Sequence, residues 1–134
     1  MDAMDISASA LTAERTRMNQ ISSNLANANS TRTAEGGPYR RKDAVFATML
    51  DEANARKSGG VEVVAVIEDQ SAPRLQYDPG HPDAGPDGYV AYPNVNVVEE
   101  MADMISATRT YEANVTAMKA GMDMQMKTLT IGSK

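Results

Sequence analysis

The sole histidine of the 134-residue chain, His81, lies in a Pro-Gly-His-Pro stretch close to Asp78, Asp83 and Asp87. An imidazole beside carboxylates can transfer protons or bind a metal ion. Zinc and most catalytic metals require several nitrogen or sulfur ligands, and this chain has one histidine and no cysteine. The aspartates also lack the alternating spacing and closing glutamate of a calcium loop. The pattern favours a structural turn at His81, and an enzyme centred on this residue is the least favoured function.

Three other features could support chemistry, and each has a simpler structural explanation. The glycine pairs at 36–37 and 59–60 lack the lysine and spacing of a phosphate-binding loop, which favours flexible connectors. Most of the ten methionines fall in helical apolar rows, which is typical of core packing rather than copper binding. Glu99 and Glu100 lie in the first turn of a predicted helix, where carboxylates stabilise the helix dipole. The sequence therefore predicts no catalytic residue, no metal or cofactor and no small-molecule substrate.

Composition narrows the class of protein further. A mass of 14.4 kDa fits one domain, and 4% aromatic residues with ten methionines favour helices over a β-sandwich. The formal net charge of -5 argues against nucleic acid or an anionic membrane as the partner. Asp2 and Asp5 argue against a secretory signal, and no stretch approaches the roughly 18 apolar residues of a transmembrane helix.

A first amphipathic helix is predicted from Met4 to about Ala28. Asn24, Asn27 and Asn29 cluster near its end, where asparagine side chains compete for backbone groups and mark the exit from a helix. Whether these asparagines also contact other subunits is left open by the sequence. The large apolar residues form a seam with a seven-residue step, and a fifth lies on the same side: Met4, Leu11, Met18, Leu25 and Ile21.

A second helix is predicted from Asn96, which can cap it together with Glu99, to about Ile131. Gly121 within it indicates a close helix contact or a bend. Two adjoining rows form a wide apolar face: Met101, Thr108, Val115, Met122 and Leu129 in one, Met104, Tyr111 and Met118 in the other, with Ile105 beside them. A further face is small and uncharged: Ala102, Ser106, Ala113, Ala117 and Ala120. A helix with two such faces is suited to packing from more than one side.

The middle of the chain predicts a small β region. Residues 30–60 are predicted as loop containing one helical turn or strand. The β-branched run at 61–67 and the alternating run at 74–77 predict two strands of one small sheet, and 89–92 a further short strand in a Pro/Gly-rich loop. The predicted fold class is mainly α with a small β region (α+β), in which long N- and C-terminal helices pack as a coiled-coil-like pair around a short-strand and loop segment.

The energetics of the first helix favour assembly. Burial of its five large apolar side chains offsets only part of the conformational entropy lost when some 25 residues become ordered. A single partner helix leaves little margin, so we expect packing against copies or neighbouring subunits. Identical subunits joined by heterologous contacts form rings or open filaments. The alternative is a cytoplasmic helical adaptor that forms a closed dimer.

The motif from Ile21 to Thr31 resembles the N-terminal signature shared by bacterial flagellar rod and hook proteins. Later stretches are similar to basal-body rod subunits of that family, and the similarity extends over nearly the whole chain, least over residues 42–60 and after Met118. The Met-rich segment 122–126 departs from the usual pattern. The residues that match the family motifs are Asn24, Leu25, Ala26, Asn27, Pro79, Gly80, His81, Pro82, Gly88, Tyr89, Pro93, Asn94, Glu100, Met101, Tyr111 and Asn114.

This resemblance implies a structural subunit of the proximal rod, the shaft that transmits torque from the rotor towards the hook. It implies as partners further copies, other rod subunits, basal-body components on the MS-ring side and, during export, the flagellar type III apparatus. The subunit would be made in the cytoplasm and exported without a cleaved signal peptide to the periplasm-spanning rod. Residues 1–30 and 95–134 would form a discontinuous helical assembly domain, and 31–94 the outer contacts. Phe46 and Leu50 match a short export-gate recognition pattern of such subunits.

Overall fold

A long helix lies at each end of the chain, and the four strands between them form two antiparallel pairs. This arrangement confirms the predicted fold class. The computed structural model describes residues 3–51 and 56–133. None of the helices in these ranges has the apolar stretch that a membrane span requires. The elements in chain order are α1 (Ala3–Ala26), β1 (Lys42–Asp51), β2 (Arg56–Glu68), β3 (Arg74–Tyr77), β4 (Tyr89–Tyr92) and α2 (Val97–Gly132).

The helices α1 and α2 lie side by side and antiparallel. Near one end, a Cβ added at Gly121 would lie 3.1 Å from Cγ of Met4, so the close contact expected at this glycine is observed. At the other end, the Asn24 amide donates to a Glu100 carboxylate oxygen at 3.3 Å. Early residues of α1 thus face late residues of α2, and the predicted pairing of the two helices is observed in the antiparallel direction.

The ends of both helices follow from local side-chain chemistry. The Asn96 side chain accepts hydrogen bonds from the N–H groups of Val98 and Glu99 at 3.1 and 3.2 Å, which confirms the predicted N-cap. The helix α1 ends at Ala26, two residues before the predicted end. Beyond it, the Asn27 amide donates to the Ser23 carbonyl at 2.9 Å, so Asn27 belongs to the helix exit as expected.

A hairpin of β1 and β2 covers the side of α1 that α2 leaves open. The Val61 N–H donates to the Ser9 hydroxyl at 3.0 Å, and a Cβ at Gly59 would lie 3.2 Å from Cδ1 of Ile6. The sequence predicted loop with one helical turn or strand over residues 30–60. Residues 42–51 of this segment form the strand β1. The prediction of a flexible connector at 59–60 is wrong, because Gly59, with φ of 87°, lets β2 pass close to α1.

The short strands form a separate sheet, so the predicted sharing of one sheet by 61–67 and 74–77 is wrong. The strand β2 pairs with β1, a strand that the mixed composition of residues 42–51 did not reveal, while β3 pairs with β4. The predicted short strand at 89–92 is confirmed as β4. Between β3 and β4 the chain turns at Gly88, and the rings of Tyr77 and Tyr89 meet edge to face at 5.3 Å.

We expect Gly88→Ala to lower the free energy of unfolding by about 2 kcal/mol or more, since backbone strain and overpacking each cost about 1–3 kcal/mol. Gly88 has φ of 82°, and an added Cβ would lie 2.7 Å from Cε2 of Tyr77. Gly36 is a matched control because it has the same φ of 82° with nothing within 4 Å of the added Cβ. Urea unfolding of the two variants checks the prediction, and equal stability would contradict the role of the Tyr77 contact.

Candidate assembly surfaces

The interface between α1 and α2 uses more residue types than the predicted seams. On α1, Ile21 is buried, and the other four seam residues, Met4, Leu11, Met18 and Leu25, are half-buried. On α2 the least exposed positions recur with steps of four and three: Glu100, Met104, Ala107, Tyr111, Asn114, Met118 and Gly121. Sequence reasoning predicted only three of these positions as seam residues, Met104, Tyr111 and Met118. It missed Glu100, Ala107 and Asn114 because small or polar residues occupy these positions, although a seven-residue spacing runs through them to Gly121, where a close contact was expected.

The predicted α2 row that begins at Met101 and ends at Leu129 does not lie in this interface. Its half-buried member is Val115, and Thr108 is exposed. The row and its neighbour Ile105 leave four large apolar side chains about half exposed or more: Met101, Ile105, Met122 and Leu129. The small face is exposed as well: Ala102, Ser106, Ala113, Ala117 and Ala120. The α2 helix therefore presents most of its circumference to its surroundings.

A buried polar cluster, here called the polar clamp, consists of Asn24, Tyr39, Arg41 and Glu100. The Asn24 amide donates to the Lys42 carbonyl at 2.9 Å and to Glu100 at 3.3 Å. Its carbonyl oxygen accepts from the Tyr39 hydroxyl at 2.9 Å and from the Lys42 N–H at 3.0 Å. The expectation that Asn24 marks the helix exit is wrong, because Asn24 lies within α1 and its side chain bonds to the 39–42 segment and to α2.

Arg41 and Glu100 provide the charged half of the polar clamp. The Arg41 guanidinium pairs with Glu100, which is 1% exposed, and with the exposed Asp43. Burial tends to lower the pKa of Arg41, but its hydrogen bonds to Asp43 and Glu100 and their charges outweigh this and raise that pKa. Glu100 was predicted to act on the helix dipole, and the structure adds a buried ion pair that joins α2 to the segment before β1.

Two further carboxylates surround the Arg41 guanidinium at longer range. Asp69, just after β2, and Asp103, in α2, lie 3.9 and 3.8 Å away. The Arg41 N–H donates to the Asn94 side chain at 3.1 Å, and the Asn94 amide donates in turn to the Ser71 carbonyl at 3.1 Å. The polar clamp and these neighbours connect the end of α1, the start of β1, the segment after β2 and the start of α2.

The loop around His81 has the bonding expected of a structural turn. The His81 ring accepts the N–H of Asp83 at 3.0 Å, and the Asp83 carboxylate accepts from Thr31 at 2.7 Å. The Thr31 hydrogen bond, assisted by the charge of Arg32, lowers the pKa of Asp83. In the described part of the chain no three histidine or acidic side chains are placed to hold a metal ion. The contacts therefore dock this loop, which includes Pro79, Gly80 and Pro82, onto the segment after α1.

Phe46 and Leu50 both lie on β1, away from the polar clamp. Each side chain is exposed, Phe46 at 36% and Leu50 at 65%. Their proposed recognition by the export gate concerns the chain before it folds, so it stays a prediction.

Comparisons with known proteins identify the class. Residues 4–32 match the family model described as flagella basal body rod protein, and residues 87–131 match the one described as flagellar basal body rod FlgEFG protein C-terminal. These two segments correspond to α1 and α2, so the helix pair is that of a flagellar rod protein.

Curated relatives narrow the class further. The flagellar basal-body rod protein FlgC of Salmonella typhimurium (strain LT2) is 46% identical, with 98% of this chain and 97% of the relative aligned. FlgC of Bacillus subtilis is also 46% identical, over 96% and 95% of the two chains, and that of Borreliella burgdorferi is 41% identical, over 96% and 94%. The chain belongs to the FlgC family of flagellar basal-body rod proteins. It is a structural rod subunit and not an enzyme, which removes the adaptor and His81 alternatives.

Proposed function

We propose that residues 1–30 and 95–134 form the polymerising part of this rod subunit and that residues 31–94 form its outer contacts. The observation that carries this proposal is the order of the layers. The α1 helix packs between α2 and the β1–β2 hairpin, whereas α2 packs against α1 alone among the described elements. A helix of 36 residues that has one partner and exposed apolar side chains is suited to contacts between subunits.

The layer order also supports an orientation in the rod. The hairpin and α2 lie on opposite sides of α1, so one can face outward while the other faces the rod axis. We assign α2 to the axis, because its open faces can pack against the same helix of neighbours. In this arrangement the subunit contacts its own copies, other rod subunits and basal-body components on the MS-ring side, and the assembled shaft transmits torque towards the hook.

Torque transmission requires that load on the outer contacts reach the helices. The polar clamp supports this role because it bonds the α1 end, the β1 start and the α2 start to one another. A buried network with satisfied hydrogen bonds is rigid compared with a flexible linker. The middle segment is thereby held to the helix pair at its base.

Complementation tests the proposed function. In flagellated cells that lack their FlgC-type subunit, we expect the full-length chain to restore swimming and to be recovered in isolated basal bodies. An empty vector and a chain expressed at equal level with the 97–132 helix deleted serve as controls. Swimming without the chain in basal bodies, or its accumulation in the cytoplasm, would contradict the proposal.

We expect Phe46→Ala to lower export several-fold, because the phenyl ring is the largest feature of the export-gate pattern in the unfolded chain. Val64→Ala, an exposed apolar position on β2, is the matched control. The ratio of exported to retained chain, measured by immunoblot at equal expression, checks the prediction. Equal ratios for the two variants would exclude an export role for Phe46.

A further inference from the structure

We propose that residues 78–88, here called the histidine loop, form a pH-sensitive switch in this fold. The neutral ring of His81 keeps the loop docked on the segment after α1, and protonation of the ring releases it. The loop joins β3 to β4 and carries the only histidine of the chain. The switch operates within one subunit, so it goes beyond the proposed function and does not depend on it.

The hydrogen bond between the Asp83 N–H and the His81 ring requires a neutral imidazole. The N–H donates to Nδ1 at 3.0 Å, so this nitrogen presents its lone pair and the ring proton lies on Nε2. A protonated imidazole carries a hydrogen on both nitrogens and accepts no hydrogen bond. Protonation of His81 therefore replaces this hydrogen bond with a contact between two N–H groups.

The Asp83 side chain holds the histidine loop on the segment after α1. Its carboxylate accepts from the Thr31 hydroxyl at 2.7 Å and pairs with the Arg32 guanidinium. The charge of a protonated His81 acts on the same carboxylate, so the ring competes with Thr31 and Arg32 for it. Loss of the ring acceptor and competition for the carboxylate act in the same direction, because both weaken the docked state.

The charges around His81 favour protonation in the released state over the docked one. The charged side chains of the loop are Asp78, Asp83 and Asp87, and those of its neighbours are Arg32 and Arg74. The carboxylates move with the ring, and Arg74 stays on the Tyr92 ring, which His81 meets edge to face at 6.2 Å. Arg32 differs because it belongs to the segment after α1 and reaches the loop through Asp83. Its charge therefore opposes a protonated His81 in the docked state alone.

The pH range of the switch follows from the sign of this contact. The docked loop holds the neutral ring, so docking is strongest above about pH 7.5 and weakens as the pH falls through about 6.5, the ordinary pKa of histidine. The Thr31 hydrogen bond lowers the pKa of Asp83, so that carboxylate stays charged throughout this range. An ordinary histidine is about 90% protonated at pH 5.5, which multiplies the equilibrium constant for loop release by about ten.

Release of the histidine loop changes a groove on the middle segment. Pro82 and Ala84 line this groove from the loop, Thr31 and Pro38 line it from the segment after α1, and its volume is about 490 Å³. The two sides are joined by the hydrogen bond between Thr31 and Asp83, so release of the loop separates them. The surface that residues 31–94 present to other proteins therefore differs between neutral and acid pH.

Hydrogen exchange of the ¹⁵N-labelled full-length chain, followed by NMR, tests the switch. We expect the protection factor of the Asp83 N–H, corrected for the effect of pH on exchange in an unfolded peptide, to fall about tenfold between pH 7.5 and 5.5. The Gly85 N–H donates to the Tyr89 carbonyl at 2.9 Å without involving the imidazole. It is the internal control, and its protection factor should change by less than about twofold.

His81→Asn is the matched variant without a titratable ring. An asparagine side chain accepts the N–H two residues further along the chain, so Asp83 should keep its protection at both pH values. His81→Gln repeats the comparison with a longer amide acceptor. Unchanged or increased protection of Asp83 in the native chain at pH 5.5, or no protection at pH 7.5, would overturn the proposal. An equal fall in both amide variants would also overturn it, because another group would then cause the release.

Discussion

Replacement of Glu100 by alanine should lower the free energy of unfolding by about 3 kcal/mol, the low end of the loss seen when one partner of a buried ion pair is removed. Glu100 is 1% exposed and pairs with Arg41, whose side chain is 20% exposed. Without the carboxylate, the guanidinium keeps Asp43 near the surface but loses its buried partner, and the Asn24 amide loses an acceptor. Urea unfolding of the full-length chain, followed by far-UV circular dichroism, measures this loss.

The neighbouring Glu99 provides the matched control, because it lies in the same helical turn and is exposed. Glu99→Ala should cost less than about 1 kcal/mol, the value of a carboxylate near a helix N-terminus. In a double-mutant cycle, Arg41→Ala combined with Glu100→Ala should cost less than the sum of the single changes, because no charge is then left buried alone. Equal stability of the Glu99 and Glu100 variants would show that the ion pair contributes nothing to the fold.

The helices were the most predictable part of the fold, and the reason is local. The Asn96 cap, the absence of proline over 97–132 and the seven-residue apolar rows all act within one segment, so the sequence alone defines α2 closely. The family motifs also identified the protein class, since they cover both helices. These signals need no knowledge of how the rest of the chain folds.

Strand β1 was less predictable than the helices, because its formation depends on residues outside the strand. Its sequence mixes aspartate, alanine and threonine with few β-branched residues, so intrinsic preference is weak. The strand forms because β2 pairs with it and because Asn24 of α1 holds Lys42 at its start. Asn24 lies 18 positions from Lys42, and the far end of the hairpin pairs Lys42 with Glu68, so a short local pattern contains neither contact.

The polar clamp was missed for a related reason. Asparagine near a helix end and glutamate in a first turn each have a common local role, and both residues were assigned that role. The structure uses them to join segments 76 positions apart, a use visible only once α1 and α2 are paired. One sequence signal existed: Glu100 precedes Ala107, Asn114 and Gly121 by multiples of seven. Read without regard to hydrophobicity, that spacing would have placed Glu100 in the interface.

Ala107→Asp should abolish swimming in complemented cells while the chain is still exported. Ala107 has no exposed surface and lies on the α1-facing side of α2. A carboxylate there would be buried without a partner, at a cost of about 3 kcal/mol or more. That loss is a large part of the 5–15 kcal/mol typical of a whole domain, so the helix pair should separate or shift. Soft-agar swimming and immunoblots of exported chain measure both parts of the prediction.

Two controls separate the interface from other causes of immotility. Ala107→Ser keeps a small uncharged side chain in the helix interface and should preserve swimming. Ala113→Asp introduces the same charge at an exposed position of α2 and should change the unfolding free energy by about 0.5 kcal/mol or less. Export should survive in all three variants, because the subunit is expected to cross the export apparatus unfolded, when Ala107 has no neighbours to lose. Normal swimming by Ala107→Asp would mean that the rod does not need the α1–α2 interface, and the assignment of the helix pair as the polymerising part would fail.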